Sequence, residues 1–162
     1  MSMIGARDRL YDVLTGPDYA AAVAALNAAG GEYAGVTIAV FDRSRAHKVQ
    51  ETTSFPFLMI VPVDATVEVV EHSGRETVTH AFRVIVEDKA PNTDAVYSQI
   101  MAHAAAVRYC VHSFVRTVKY WHPRVPGWDF SDVAATGQGA FIAQVELRVE
   151  IQESLLTNDA TD

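Results

Sequence analysis

Hydrophobic and polar positions alternate with period two along residues 140–153. Phe141, Ala143, Val145, Leu147, Val149 and Ile151 fall on one side of an extended chain, and Gln144, Glu146, Arg148, Glu150 and Gln152 on the other. Ile142 is the one apolar residue on the polar side. This alternation predicts a strand with one buried and one wet face, about 40 Å long at about 3.3 Å per residue. A strand of that length requires an equally long sheet and a cover for its apolar side.

The same pattern recurs upstream. Val78, His80, Phe82, Val84 and Val86 share one face of residues 76–87, opposite Thr77, Thr79, Ala81, Arg83, Ile85 and Glu87. With residues 66–71 and the turn His72-Ser73-Gly74-Arg75, these form a predicted β-hairpin. Residues 55–62, Phe-Pro-Phe-Leu-Met-Ile-Val-Pro, read as a separate buried strand bounded by prolines.

At residue 92 the period changes. Val96, Ile100, His103, Val107, Cys110, Val111, Phe114 and Val118 recur at spacings of three and four, predicting one amphipathic helix over 92–118. Asn92 or Thr93 supplies a cap, and Asp94 suits the positive end of the dipole. At about 1.5 Å per residue the helix is roughly 39 Å long, matching the C-terminal strand and able to roof it.

Two shorter helices are predicted over 4–14 and 18–29, separated by Gly16-Pro17 and stopped by Gly30-Gly31. Residues 35–41 read as a short strand and 42–53 as a long loop. Residues 119–139 hold both tryptophans, with Pro123, Pro126 and three glycines. They read as an irregular segment whose Trp121, Trp128 and Phe130 form either a minor-core plug or an interface anchor. The expected fold is α+β: a single, mostly antiparallel sheet with a long hairpin, packed on one side by the 92–118 helix and an N-terminal helix. Residues 1–154 form one domain and 155–162 a flexible tail.

The 162 residues carry a net charge of −7, which disfavours a dedicated nucleic-acid binder. Cys110 is the only cysteine, so no intrachain disulfide or cysteine-based zinc cluster is available, and it reads as a buried structural thiol. The six histidines lack metal-ligand spacing, and His103 reads as a satisfied core-edge residue. Glu146 and Glu150 lie about 13 Å apart along a strand, too far for an acid/base pair. With Arg148 between them they read as a charge ladder on a solvated or lumen-facing sheet surface, or as a polar subunit contact. The N-terminus lacks a secretory signal, and the hydrophobic runs are too short to span a bilayer. The expectation is a soluble protein of a reducing compartment, without membrane span, metal or cofactor.

Over residues 3–153 the order of elements resembles the tail terminator (tail completion) proteins of long-tailed bacteriophages. The resemblance is carried by Ile4-Gly-Ala-Arg-Asp-Arg-Leu, by residues 55–62, by Thr79-His-Ala-Phe-Arg-Val-Ile-Val-Glu-Asp and by the closing alternation of 141–153. It implies a non-enzymatic assembly role: a homo-oligomeric ring, usually a hexamer, that caps the tail tube, stops its polymerisation and receives the head connector. Partners would be further copies of the chain, the tube protein and the connector or stopper, with DNA passing through the lumen without specific binding. The location would be the virion neck, reached from the host cytoplasm. Arg75, Trp121, Trp128, Phe130, Gln144, Glu146, Arg148 and Glu150 are the candidate contact residues. The two-part N-terminal helix and the 119–139 segment depart from the family pattern. Other readings are a different neck or head-closure protein, or a small ligand-binding or enzymatic α+β domain with converging polar groups in a pocket.

Overall fold

A computed structural model describes residues 3–33, 36, 38, 41, 55–70, 75–114 and 121–156. The chain is α+β: helices α1 (Met3–Leu14), α2 (Pro17–Ala29) and α3 (Thr93–Phe114), and strands β1 (Phe57–Val70), β2 (Arg75–Ala90), β3 (Trp121–Phe130), β4 (Ala134–Ala135) and β5 (Phe141–Leu156). The long strands form an antiparallel sheet in the order β1-β2-β5-β3, with β4 paired to β5.

The alternation read in β5 and β2 sets their faces. Phe82, Val84 and Val86 of β2 and Val145, Leu147 and Val149 of β5 are wholly buried. They pair directly across the sheet: Phe82 with Val149, Val84 with Leu147 and Val86 with Val145. Over them lies α3, whose Val96, Ile100, His103, Val107, Cys110 and Val111 are all buried. The Asn92 side chain caps α3, its Oδ1 accepting from the Ala95 amide at 2.8 Å.

Both N-terminal helices pack against this core. Leu10, Tyr11, Val13 and Leu14 of α1 are buried, and the Tyr11 hydroxyl accepts a hydrogen bond from the Ile60 amide at 2.9 Å. That bond occupies a backbone donor of edge strand β1, one way an edge is closed to foreign pairing. Gly16 separates α1 from α2 because a Cβ there would sit 2.6 Å from the Asp12 carbonyl oxygen. Gly30, at φ +72°, ends α2 in a backbone conformation that L side chains rarely adopt.

Four features differ from expectation. First, residues 57–70 are one continuous strand through Pro62, with a bulge between Pro62 and Asp64. Proline is tolerated there because β1 is an edge strand and the bulge takes up the missing donor. Second, residues 121–130 are not irregular: they form β3, paired to β5 with a register shift between Arg124 and Gly127. That shift absorbs Val125 and Pro126, again at a sheet edge.

Third, β5 continues to Leu156, so residues 155 and 156 belong to the sheet rather than to a tail. Residues 157–162 lie outside the described residues, as do 115–118 of the expected helix end, the hairpin turn 71–74 and the loop 42–53. Of the expected strand 35–41 only residues 36, 38 and 41 are described, and none is in a strand.

Fourth, helix and sheet differ in length. The 22 residues of α3 span about 33 Å and the 16 of β2 about 53 Å, so roughly 20 Å of sheet extends beyond the helix. Burial agrees: the helix-facing residues of β2 are buried from His80 to Ala90, whereas Val78 is only half-buried. Residues 63–70 and 75–79 therefore form an overhanging arm.

Candidate functional site

The charged face of the sheet builds from register. Asp64 of β1 lies opposite Ala81 of β2, Ala81 opposite Glu150 of β5, and Glu150 opposite Arg124 of β3. The next row places Arg83 directly opposite Arg148, and the row after it Glu146 opposite Asp129. Like charges in direct opposition are unfavourable, and the side chains resolve this diagonally. Arg83 reaches Glu146 at 3.0 Å, Arg124 reaches Glu150 at 2.8 Å, and Arg148 lies 3.9 Å from both Asp64 and Glu150. Arg83 and Arg148 thus form a row between two rows that carry carboxylates, with Arg124 in the same row as Glu150, a charge ladder across neighbouring strands.

The three arginines are 44–68 % exposed, although the Glu150 carboxylate is only 12 % exposed, and ion pairs with a solvent-exposed partner contribute about 0–1 kcal/mol each. The ladder is therefore no strong source of stability; its effect is to keep this face polar. Among the described residues no helix lies over it. Gln144 sits at its end near β4, where its amide donates to the Ser131 hydroxyl and its carbonyl accepts from the Ser131 amide, both at 2.9 Å.

Trp128 and Phe130 lie elsewhere. Their partners in register are Leu147 and Val145, which places them on the helix side of edge strand β3. Neither is a core plug: Trp128 is 40 % exposed and Phe130 41 %. The Arg108 guanidinium of α3 sits 4.2 Å from the Trp128 ring, a cation–π contact. Trp121 begins β3 and Arg75 begins β2; their side chains lie outside the described residues. The eight sequence-derived residues thus divide. Glu146, Arg148 and Glu150 converge on the polar face beside Gln144, while the described aromatics occupy the opposite side of one edge.

Arg83, Arg124 and Asp64, which complete the ladder, were not singled out in the sequence because their pairing depends on cross-strand register. The period-two position of Arg83 opposite the buried face was the one available signal. Arg108, Tyr109 and Met101 were missed for a related reason: they flank the buried stripe of α3 and matter only once β3 lies beside them.

A second polar cluster is buried. Tyr19 Oη lies 2.8 Å from His103 Nδ1, and His103 Nε2 lies 2.9 Å from Asp88 Oδ2. Asp88 Oδ1 also accepts from the Lys89 amide at 2.8 Å, and Phe41 stacks on both rings. With the Asp88 oxygen accepting, Nε2 carries the proton and Nδ1 accepts from the tyrosine hydroxyl. Burial, followed by the charges of Cys110 and Asp88, holds the Tyr19 phenol well above its ordinary pKa, so it stays a donor. His103 is wholly buried rather than at the core edge, and it joins α2, α3 and β2 through satisfied bonds.

Nearby, an open cleft of about 550 Å³ is lined by Phe55, Pro56, Lys89, Pro91, Gln99 and Ala140. Its titratable groups are engaged: Asp88 with His103, and Lys89 over the Phe55 ring at 5.9 Å.

Cys110 is buried, its Sγ facing the Val13 carbonyl at 3.7 Å, and burial pushes its thiol pKa up to about 12. Raising the folded-state pKa above the unfolded value adds stability that is complete below about pH 8.5 and is lost as pH rises toward 12. Wild type is expected to lose stability over that window faster than Cys110→Ala, by up to about 1.4 kcal/mol per pH unit. Paired denaturant titrations at several alkaline pH values measure the difference; parallel slopes would contradict it.

No protein-family model matches the chain, and no curated protein matches it.

Proposed function

We propose that this chain is a tail terminator of a long-tailed bacteriophage. It assembles as a ring, expected to be a hexamer, on the end of the tail tube, stops polymerisation and presents a surface to the head connector. The role is structural rather than catalytic. The observation that carries the reading is the long antiparallel sheet, roofed by helices on one face and, among the described residues, charged and without such a roof on the other. A wall of that kind suits subunits arranged around a channel.

The composition of the open face fits passage of DNA without retention. Arg83, Arg124 and Arg148 stand against Asp64, Asp129, Glu146 and Glu150, and each arginine already lies beside a carboxylate. Phosphate binding draws on uncommitted cations, so a mixed, self-paired surface would hold DNA weakly. The ring would form in the host cytoplasm and remain in the neck of the virion.

Electron microscopy of particles produced without this protein tests the assignment. Overlong tails lacking heads are the expected outcome. Tails of normal length beside heads that leak DNA would refute it in favour of a head-closure role.

A further inference from the structure

Two exposed apolar surfaces remain at opposite edges of the sheet, and their charges are complementary. The first is the overhanging arm, where Val67 is 55 % exposed and Val69 65 %. Register places Val67 opposite Val78 and Val69 opposite Glu76, on the helix side but past the end of the helix layer. Glu68, on the other face of the arm, adds a second carboxylate. Among the described residues neither Glu76 nor Glu68 has an ion-pair partner.

The second surface lies along α3 and β3. Trp128 is stacked under Arg108, and Tyr109, the next residue of the helix, is 52 % exposed. Strand β3 runs toward the start of α3, so Phe130 sits about 6.6 Å, or roughly one helical turn, further along. That brings it level with the helical turn following Met101, itself 40 % exposed. Arg108 contacts the Trp128 ring and, among the described residues, no carboxylate.

Direct strand-to-strand joining of the two edges is obstructed. Edge strand β1 carries Pro62 and a bulge, and β3 carries Pro123, Pro126 and a register shift. Prolines and bulges remove the regular row of donors that edge pairing requires. Contact at these edges must therefore run through side chains. Apolar valines with carboxylates that meet no cation among the described residues on one edge, and aromatics with an arginine that meets no carboxylate among them on the other, fit each other better than either fits itself.

We propose that the arm of one copy seats against the Arg108–Trp128 surface of the next, Val67 and Val69 covering the aromatics and Glu76 pairing with Arg108. The contact is head-to-tail, the kind that closes a ring by repetition. It rests on the ring-forming reading above and identifies the surfaces that make the ring.

Cysteine cross-linking tests it, because the buried Cys110 leaves the wild-type chain silent toward maleimides. The full-length variant carrying both Val69→Cys and Tyr109→Cys is treated with a short bis-maleimide. The expected result is a ladder rising in steps of 17.7 kDa to a fixed upper limit. Either single-cysteine variant should stay at monomer mass. Adding Arg108→Glu should shorten the ladder, and Glu76→Arg in the same chain should restore it.

Cross-linking by the single variants as strong as by the double, or no ladder at all, would overturn the contact, leaving another protein as the occupant of the arm. The two readings separate: a ladder alongside virions with normal tails keeps the contact and removes the terminator role. Overlong tails without a ladder do the reverse.

Discussion

Phe82→Ala is expected to lower the unfolding free energy by about 4 kcal/mol and the Tm by roughly 8–16 °C. Phe82 is wholly buried at the centre of the sheet, opposite Pro62 on one side and Val149 on the other. Truncation removes the transfer free energy of the ring and leaves a cavity beneath α3 that stiff β-branched neighbours such as Val84 and Val149 cannot fill. Arg83→Ala, one residue along and on the open face, should cost no more than about 0.5–1 kcal/mol, since its bond to Glu146 is solvent-accessible. Should Phe82→Ala fail to fold, Phe82→Leu retains most of the bulk and should still exceed Arg83→Ala. Denaturant midpoints decide the matter; equal costs at the two positions would mean that the alternation does not separate a core face from a wet one.

The second large effect concerns the buried Tyr19–His103–Asp88 chain. Asp88→Ala removes the acceptor for both His103 Nε2 and the Lys89 amide, leaving a wholly buried ring nitrogen without its partner. Orphaned buried donors cost about 1–3 kcal/mol each; with two donors losing their acceptor, a loss of about 3 kcal/mol is expected. Tyr19→Phe, which removes a single hydroxyl, should cost about 1–2 kcal/mol. The double variant should lose less than the sum, because both residues act through the same imidazole. Strict additivity, or an Asp88→Ala cost within that of the exposed control Asp94→Ala, would show that the chain does not clip α2 to α3 and β2.

The partition of the core around these two positions was legible in the residues before any tertiary information. Period-two alternation over residues 141–151 and 78–86 and the three-and-four spacing of 96–111 are local properties of the backbone. Each side chain's face follows from the repeat of its own element. The Asn92 cap and the Gly30 stop are local for the same reason: the side chain or backbone conformation that ends the helix sits within one turn of it.

Charge placement was half legible. Glu146, Arg148 and Glu150 could be put on one face from β5 alone, but the residues that answer them could not. Arg83, Arg124 and Asp64 come from three other strands, and a one-residue change in register would have turned each to the opposite side. Proline misled in both places where it interrupts a strand. The rule that excludes it from strands holds for central positions, and which strands lie at the edge is not encoded in their own residues.

By itself, then, the sequence determined the period, and hence the face, of each regular element. The backbone geometry that converts spacing into direction is the same in every protein. The tertiary structure alone decided that residues 121–130 form a strand, because Pro123, Pro126 and Gly127 lie extended only with β5 beside them. It also decided that the sheet outruns its helical cover by roughly 20 Å, since element lengths are compared only when the elements are packed. The two edge surfaces follow from that packing: whether Trp128 is covered or Val69 bare depends on where a neighbouring element ends, and no residue carries that information alone.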